Sequence, residues 1–283
     1  MKAAISGSSG FQGKAVTAWL KGMGYEVVSL SRKDLYGSPE NLSARIQGAA
    51  VVIHLAGAPI IGRWTPKYKQ EVYDSRIITT RNLVNAMGRL EKKPRTFICA
   101  SAIGIYPTQG VFTEDRKEVA GNFLGKVCKD WEAAAAKAPE EVRVLNFRFG
   151  IVLGKQGGAL PKLALPFRLF IGGRIASGKQ MISWIHLDDV LQIFRFALEN
   201  ETLSGPLNIC TPQPVSNQQL SQAIARTLGR PAFFPVPAFA LRLVFGDGAM
   251  MLTQGQEALP KKLLDEGFRF QFPEIQHALK DLL

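Results

Sequence analysis

The first residues that could do chemistry are three glycines at a regular spacing, Gly7, Gly10 and Gly13. They directly follow an apolar run typical of a strand, and they open a segment with helical spacing that includes Phe11. In this context Gly7 allows a tight turn, Gly10 lets the backbone approach a pyrophosphate closely, and Gly13 permits close packing of the helix. The helix N-terminus then offers free N–H groups and a partial positive charge to phosphate. The pattern predicts a dinucleotide site, and a glycine-rich turn without a ligand is the alternative.

The end of the second apolar run indicates which dinucleotide fits. An NAD site usually has Asp or Glu about 20 residues further on, where it binds the ribose 2′-hydroxyl. Ser31 and Arg32 stand there instead. A carboxylate would repel a 2′-phosphate, whereas Arg32 can bind it with charge-assisted hydrogen bonds and Ser31 offers a hydroxyl. The sequence therefore predicts NADP as the cofactor; the alternative is that Arg32 is an ordinary exposed cation.

Several other polar residues could act on a substrate, and each has a simpler structural interpretation. Asp188 and Asp189 could be paired carboxylates, but their place at a helix start favours capping. Tyr106 could donate a proton from a loop, although a packed tyrosine is the favoured interpretation, and His54 is interpreted as a packed histidine at a strand end. The cations of a Gly-rich segment could bind a phosphorylated or carboxylate substrate, or they could be exposed loop residues: Arg168, Arg174 and Lys179.

The elements that must position these residues alternate along the first 150 residues. Apolar runs predict strands over 3–6, 26–30, 50–55, 96–100 and 142–149. Helical spacing of apolar residues predicts helices that include 13–20, 67–90 and 121–137. Because near-continuous apolar strands separated by helices indicate a parallel sheet covered on both faces, we predict an α/β fold with a doubly wound, Rossmann-type sheet and a smaller C-terminal lobe.

The pattern of apolar and polar residues changes after Gly150, and this change suggests the domain organisation. Residues 1–155 are predicted to form the NADP-binding Rossmann domain, completed by about 175–212, with 156–174 as a loop beside the cleft. Residues 213–283 are predicted to form a small C-terminal domain. A capping-box pattern from Ser216 to Gln219 predicts the start of a helix there, and Gly229 predicts its end.

Composition excludes several functional classes. The 283 residues are 46% hydrophobic with a net charge of +12, which is typical of a globular protein. Three scattered Cys and three scattered His predict neither a disulfide framework nor a metal site. Residues 1–100 carry 15 Lys and Arg against 6 acids, but without a nucleic-acid motif this surplus favours a small anionic ligand or a basic surface. We therefore expect a small-molecule substrate, no nucleic-acid or membrane partner, and a soluble protein of the reduced cytoplasm.

Taken together, the motifs resemble a group of atypical short-chain dehydrogenase/reductases known as epimerase family proteins, with their dedicated C-terminal domain. This resemblance implies an NADP-binding Rossmann domain in which Ser31, Arg32, Leu55 and Ala56 contact the cofactor. It also implies contacts from Glu71, Arg76 and Val152; for Glu71 and Arg76, spacing alone favours a solvated helix face. The matching stretches run from one end of the chain to the other, among them 7–13, Leu55-Ala56-Gly57, Arg63-Trp64-Thr65, Gly150-Ile151-Val152-Leu153-Gly154, Ser183-Trp184-Ile185-His186, Gly255-Gln256, Leu259-Pro260 and Gly267-Phe268.

The sequence departs from this superfamily at the positions that carry its chemistry. Typical extended members use a Ser or Thr, a Tyr and a Lys for proton transfer. Here the matching positions are Ala102, Phe123 and Val127, with Lys126 one place out of register, so the catalytic residues are unassigned. Two hypotheses remain. The favoured one is an NADP(H)-dependent oxidoreductase or epimerase acting on a small carbonyl or sugar-nucleotide-like substrate. The other is a non-catalytic NADP(H)-binding sensor or regulatory protein.

Overall fold

The structure is a computed structural model that describes residues 1–283. Its strands are β1 (Lys2–Ser6), β2 (Glu26–Leu30), β3 (Ala49–His54), β4 (Thr96–Ala102), β5 (Val111–Phe112), β6 (Arg143–Phe149), β7 (Ile151–Gly154), β8 (Gly157–Gly158), β9 (Met181–Ile182), β10 (Trp184–His186), β11 (Gly205–Ile209), β12 (Val215–Ser216) and β13 (Glu257–Ala258). Its helices are α1 (Phe11–Gly22), α2 (Arg32–Tyr36), α3 (Pro39–Ile46), α4 (Pro66–Arg89), α5 (Phe123–Ala135), α6 (Leu160–Arg168), α7 (Leu187–Glu199), α8 (Asn217–Leu228), α9 (Ala238–Phe245), α10 (Met250–Thr253), α11 (Lys261–Asp265) and α12 (Ile275–Leu282).

Six parallel strands form the central sheet in the order β2-β1-β3-β4-β6-β11. The chain runs outward from β1 to β2 and then returns to β3 on the other side of β1. In such sheets, ligands bind outside the carboxyl ends of the strands where the direction of winding reverses. The β1–β3 boundary is this switch point, and the glycine-rich loop directly follows β1.

Helices cover both faces of the sheet, as the near-continuous apolar strands predict. On one face, Val16 of α1 and Ile193 and Phe194 of α7 pack against the strands. On the other face, Leu42 of α3, Leu83 of α4 and Trp131 of α5 do so. The prediction of an α/β, doubly wound Rossmann-type fold is confirmed.

Helices α2 and α3 lie where the sequence analysis assigned none, and so does α6, which occupies part of the segment 156–174 that was predicted as a loop. Helix α2 begins after the N-cap Ser31, and α3 begins after the N-cap Ser38 with Pro39 in its first turn. Both are too short to show an apolar period, so their caps were the only local signal. Together they fill the connection between β2 and β3, and α2 determines where Arg32 lies.

The smaller lobe is built from α6, α8 and α12 around the buried Trp184. Helix α8 begins with the predicted capping box, in which Ser216 and Gln219 bond reciprocally, and it ends at Gly229 with a φ of 61°. Strand β11 returns to the edge of the central sheet beside β6. No helix in the structure is long and apolar enough to cross a bilayer.

Candidate functional site

The glycine-rich loop is packed too tightly for side chains at two of its positions. Gly7 has a φ of 73°, and a Cβ there would lie 2.7 Å from the carbonyl carbon of Leu55. A Cβ on Gly13 would lie 2.0 Å from the carbonyl oxygen of Gly7. Gly10 is the N-cap of α1, and no side chain caps this helix. The first N–H groups of α1 therefore stay available for an anion at the switch point.

Phe11 connects this loop to the second lobe. Its ring lies against the hairpin of β7 and β8, where a Cβ on Gly154, Gly157 or Gly158 would come within 2.4–2.7 Å of ring atoms. The glycines of the hairpin thus leave the space that the ring occupies. The side chain also lines the cleft described next, so a predicted cofactor residue contacts both lobes.

A cleft of about 480 Å³ opens at the switch point, and we call it the main cleft. It brings together six of the predicted cofactor residues: Gly7, Gly10, Phe11, Gly13, Leu55 and Arg76. The Arg76 guanidinium donates to the carbonyl oxygens of Val72 and Ala58 at 3.0 and 3.1 Å, which holds it at the cleft wall. Burial lowers the pKa of Arg76 below the usual arginine value. The opposite wall includes α10 and residues 254–256, a contribution that the sequence did not predict.

Arg32 and Glu71 line a separate, open groove of about 460 Å³ between α2 and α4, which we call the side groove. Arg32 is the first residue of α2, and its guanidinium lies 5.6 Å from the ring centre of Tyr36. The Ser31 hydroxyl is already hydrogen-bonded within the first turn of α2, since it donates to the Asp34 carboxylate at 2.7 Å and accepts from the N–H of Asp34 at 3.2 Å. Of the two residues predicted to bind a 2′-phosphate, Arg32 is therefore the one with a free donor group.

Ala56 and Val152 line neither the main cleft nor the side groove. The backbone of Ala56 follows β3 directly and its N–H points to the Ser6 hydroxyl at 3.4 Å, so it lies at the edge of the loop. Val152 pairs with Ile185 in the small sheet, and its side chain is buried in the core. A contact from Val152 would have to come from its backbone.

Three residues of α5 line the main cleft: Leu124, Val127 and Cys128. Phe123 does not line it and instead packs against Trp64, with ring centres 5.3 Å apart. Of the two α5 positions matched to the usual Tyr and Lys, Val127 therefore reaches the cleft and Phe123 does not. Lys126 is exposed and forms an ion pair with Asp130 at 2.7 Å. Burial raises the pKa of the Cys128 thiol to about 12, so it stays protonated at neutral pH.

A buried charged network that the sequence analysis missed lies under the cleft floor. The Ser101 hydroxyl donates to Glu132 at 2.7 Å, and Arg148 binds both carboxylate oxygens of Glu132 at 2.7 Å. Arg148 also donates to the Tyr106 hydroxyl at 2.7 Å. Despite the opposing effect of burial, these partners hold the pKa of Arg148 above its ordinary value. The signal for this network was Arg148 itself, because an arginine inside an apolar strand needs a buried anionic partner.

The other candidate groups do not reach the main cleft. Tyr106 is 1% exposed and its hydroxyl donates to Asn208, so it is a packed tyrosine. Asp189 accepts the backbone N–H groups of Gln271 and Phe272 and thereby fixes the C-terminal segment. Three cations expected near the substrate are exposed and outside the lining: Arg168, Arg174 and Lys179. The structure brings together no group of three metal-ligating side chains.

His54 should make the free energy of unfolding fall as the pH is lowered. It is fully buried, with its ring nitrogens 2.5 Å from the Ser6 hydroxyl and 3.1 Å from the Thr79 hydroxyl, and burial lowers its pKa from 6.5 to about 3. Below pH 6.5 the unfolded chain binds a proton that the folded chain rejects. We expect the free energy of unfolding to fall by about 2 kcal/mol between pH 7 and pH 5 from this group.

Urea unfolding at both pH values measures this effect. His54→Gln should remove that part of the pH dependence, whereas His277→Gln, a change at an exposed histidine, should keep it. An unchanged pH dependence in His54→Gln would show that His54 is not the responsible group.

Comparison with known proteins agrees with this geometry. The profile of the NAD dependent epimerase/dehydratase family matches residues 3–210, and that of a C-terminal domain of unknown function, DUF1731, matches residues 236–282. The epimerase family protein YfhF of Bacillus subtilis is 38% identical over all of this chain and 98% of its own length. The chloroplastic SDR39U1 homologue of Arabidopsis thaliana is 34% identical over all of this chain and 87% of its own length.

Among solved structures, the human epimerase family protein SDR39U1, crystallised with NADPH, superposes with a TM-score of 0.93 and 34% identity. The match covers all of this chain and 99% of the human one. These matches confirm the resemblance drawn from the motifs and support a nicotinamide dinucleotide as cofactor. The cytoplasmic location stays a prediction, because one relative is named as chloroplastic. This chain belongs to the NAD dependent epimerase/dehydratase family and carries the DUF1731 domain at its C-terminal end.

Proposed function

We propose that this protein is an NADP(H)-dependent oxidoreductase that acts on a small, uncharged carbonyl compound. The observation that carries the proposal is the chemistry of the main cleft, in which Arg76 is the only charged side chain among the lining residues. The part of the cleft away from the glycine-rich loop is formed largely by apolar side chains, including Leu163, Ile175, Met250 and Leu252. Such a lining suits an apolar substrate with few polar groups.

The same lining argues against a nucleotide sugar. A nucleoside diphosphate carries charges that proteins usually bind with Arg or Lys. Arg76 is held beside the glycine-rich loop, where a dinucleotide would lie, and no other cation lines the cleft. The remaining polar side chains of the lining are uncharged Gln, Ser and Asn residues, among them Ser183, Gln254 and Gln256. Such groups can hydrogen-bond a carbonyl or hydroxyl, but they do not neutralise a diphosphate.

The residues of the cleft fit a bound dinucleotide and restrict how a proton can be delivered. Gly7 and Gly13 leave space that a Cβ would fill, and the N-terminus of α1 faces the site. When bound, NADP(H) supplies hydride chemistry. The Ser101 hydroxyl donates to Glu132 and therefore presents acceptor lone pairs to the cleft. Since Ala102 and the α5 lining residues Leu124, Val127 and Cys128 offer no hydroxyl, phenol or ammonium, we infer that reduction takes its proton from solvent.

A second function is favoured by this lack of a proton donor. Positioned acid–base groups typically accelerate proton transfer by about 10²–10⁴-fold, and their loss suits a protein that binds NADP(H) without turnover. Such a protein would act as a sensor of the cofactor's redox state or as a regulatory partner. The retained glycine-rich loop fits either function.

The experiment that separates them follows NADPH oxidation with two panels of compounds, uncharged aldehydes and ketones against nucleoside diphosphate sugars. We expect slow turnover with uncharged compounds and no turnover with nucleotide sugars. Fast epimerisation of a nucleotide sugar would contradict the proposal. Tight NADPH binding without turnover in either panel would favour the sensor.

NADP preference depends on Arg32. Losing a charge-assisted contact reduces affinity by about tenfold to a hundredfold, so Arg32→Glu should weaken NADPH binding by that factor and leave NADH binding almost unchanged. Fluorescence titration of the two nucleotides measures both affinities. Lys33→Glu is the matched control, because Lys33 is the adjacent cation but does not line the side groove. Equal affinity of the unmodified protein for NADH and NADPH would refute the preference.

A further inference from the structure

Two neighbouring segments of the C-terminal lobe expose large apolar side chains. One is the loop that follows α6, and the other comprises residues 231–237 and helix α9. Backbone hydrogen bonds join them, from the Phe234 N–H to the Gly172 oxygen at 3.2 Å and from the Val236 N–H to the Arg174 oxygen at 2.9 Å. We define the apolar face by six residues that are each more than half exposed: Phe170, Ile171, Phe233, Phe234, Phe239 and Leu243.

Two features of this face are unfavourable for a surface that is exposed only to solvent. Phe170 has a φ of 64° just after the end of α6, in the left-handed region where helices usually place glycine. Helix α9 is apolar on nearly all sides, with the sequence AFALRLVF, and yet none of its residues is buried. A helix apolar all round is normally covered, and an exposed apolar patch of this kind marks an interaction site.

The charges around the face indicate what covers it. Residues 155–187 contain five Lys or Arg and no Asp or Glu, and residues 202–246 contain three Arg and no Asp or Glu. Arg230 lies over the Phe170 ring at 4.3 Å, Arg168 ends α6, and Arg242 lies within α9. These three arginines take part in no ion pair, since the ion pairs of the structure lie elsewhere.

We propose that the apolar face binds the surface of a lipid bilayer that contains anionic lipids. Exposed Phe and Leu side chains can enter the boundary between headgroups and acyl chains while the arginines bind lipid phosphates. A second copy of this chain fits less well, because it would bring the same arginines against those of the first. This proposal differs from the expectation, drawn from the sequence, that the protein has no membrane partner. The proposal rests on the face alone and is independent of the reaction in the main cleft.

Sedimentation with extruded vesicles tests the proposal. We expect the full-length protein to bind vesicles of phosphatidylcholine mixed with phosphatidylglycerol, less so at high salt, and not vesicles of phosphatidylcholine alone. Phe239→Ser combined with Leu243→Ser should lower the partition coefficient at least about tenfold. Arg168→Glu combined with Arg242→Glu should lower it at least about tenfold as well, since each arginine contributes about fivefold.

Met23→Ser is the matched control, because Met23 is an apolar side chain, 45% exposed, outside the apolar face. It should leave vesicle binding unchanged, and NADPH titration verifies that every variant is folded. Failure to bind anionic vesicles would overturn the proposal and point to a protein partner. Binding to both vesicle types alike, or a dimer that dissociates on the Phe239→Ser and Leu243→Ser changes, would overturn it too.

Discussion

Glu132→Gln is expected to destabilise the protein by about 3–5 kcal/mol, because it leaves the Arg148 guanidinium buried without its anionic partner. The two side chains are only 14% and 9% exposed, and their closest N–O distance is 2.7 Å. Arg148 lies on β6, between β4 and β11, and its side chain is buried there. The free energy of unfolding from urea titration measures the effect, which should be among the largest of any single polar substitution in this protein.

An exposed pair with the same geometry provides the control. Glu118 and Arg116 are also 2.7 Å apart, but they are 50% and 54% exposed. Glu118→Gln should therefore cost no more than about 1 kcal/mol. Adding Arg148→Met to Glu132→Gln should recover part of the lost stability, since it removes the buried cation that Glu132→Gln leaves without a partner. Equal costs for Glu132→Gln and Glu118→Gln would mean that burial of the pair does not matter.

Gly13→Ala should disrupt the cofactor loop more than a methyl group added at any other position of the loop. Its Cβ would lie 2.0 Å from the carbonyl oxygen of Gly7, and this oxygen belongs to backbone that cannot rotate away as a side chain can. Overpacking of this kind costs about 1–3 kcal/mol, and a loop displaced from its binding geometry should lose about tenfold to a hundredfold in NADPH affinity. Thermal unfolding and nucleotide titration measure the two effects separately.

Gly22→Ala in the same helix is the control, because nothing lies within 4 Å of a Cβ at that position. Alanine is the better helix former, so this change should be neutral or stabilising by up to about 1 kcal/mol. NADPH affinity should stay at the level of the unmodified protein. If Gly13→Ala bound NADPH equally well, the tight contact with Gly7 would not be a requirement of the site.

The parts of the fold that the sequence predicted are those with a local signal. Strand β2 has its predicted bounds and β1, β3 and β4 begin or end within two residues of theirs, because each is a short apolar run between turn residues. The glycine-rich loop was predictable for the same reason, since spacing and context lie within about ten residues. The side groove was not, because it depends on α2, a helix too short to show a period.

The chemistry of the cleft required three-dimensional information. A step of one residue turns a helical side chain by about 100°, so the sequence of α5 does not show which of its residues face a cleft. The structure shows that Phe123 packs on Trp64, while Leu124, Val127 and Cys128 line the cleft. The bond between Arg148 and Glu132 joins β6 to α5 across 16 positions, and no periodicity in either segment specifies the partner.

Phe11 joins two parts of the molecule by packing. Its ring fills the space left by the glycines of the β7–β8 hairpin, so the first turn of α1 rests directly against this hairpin. The hairpin is also joined to β10, which leads directly into α7. One aromatic ring thus connects the glycine-rich loop with the second lobe, and a smaller side chain at position 11 would leave a cavity between them.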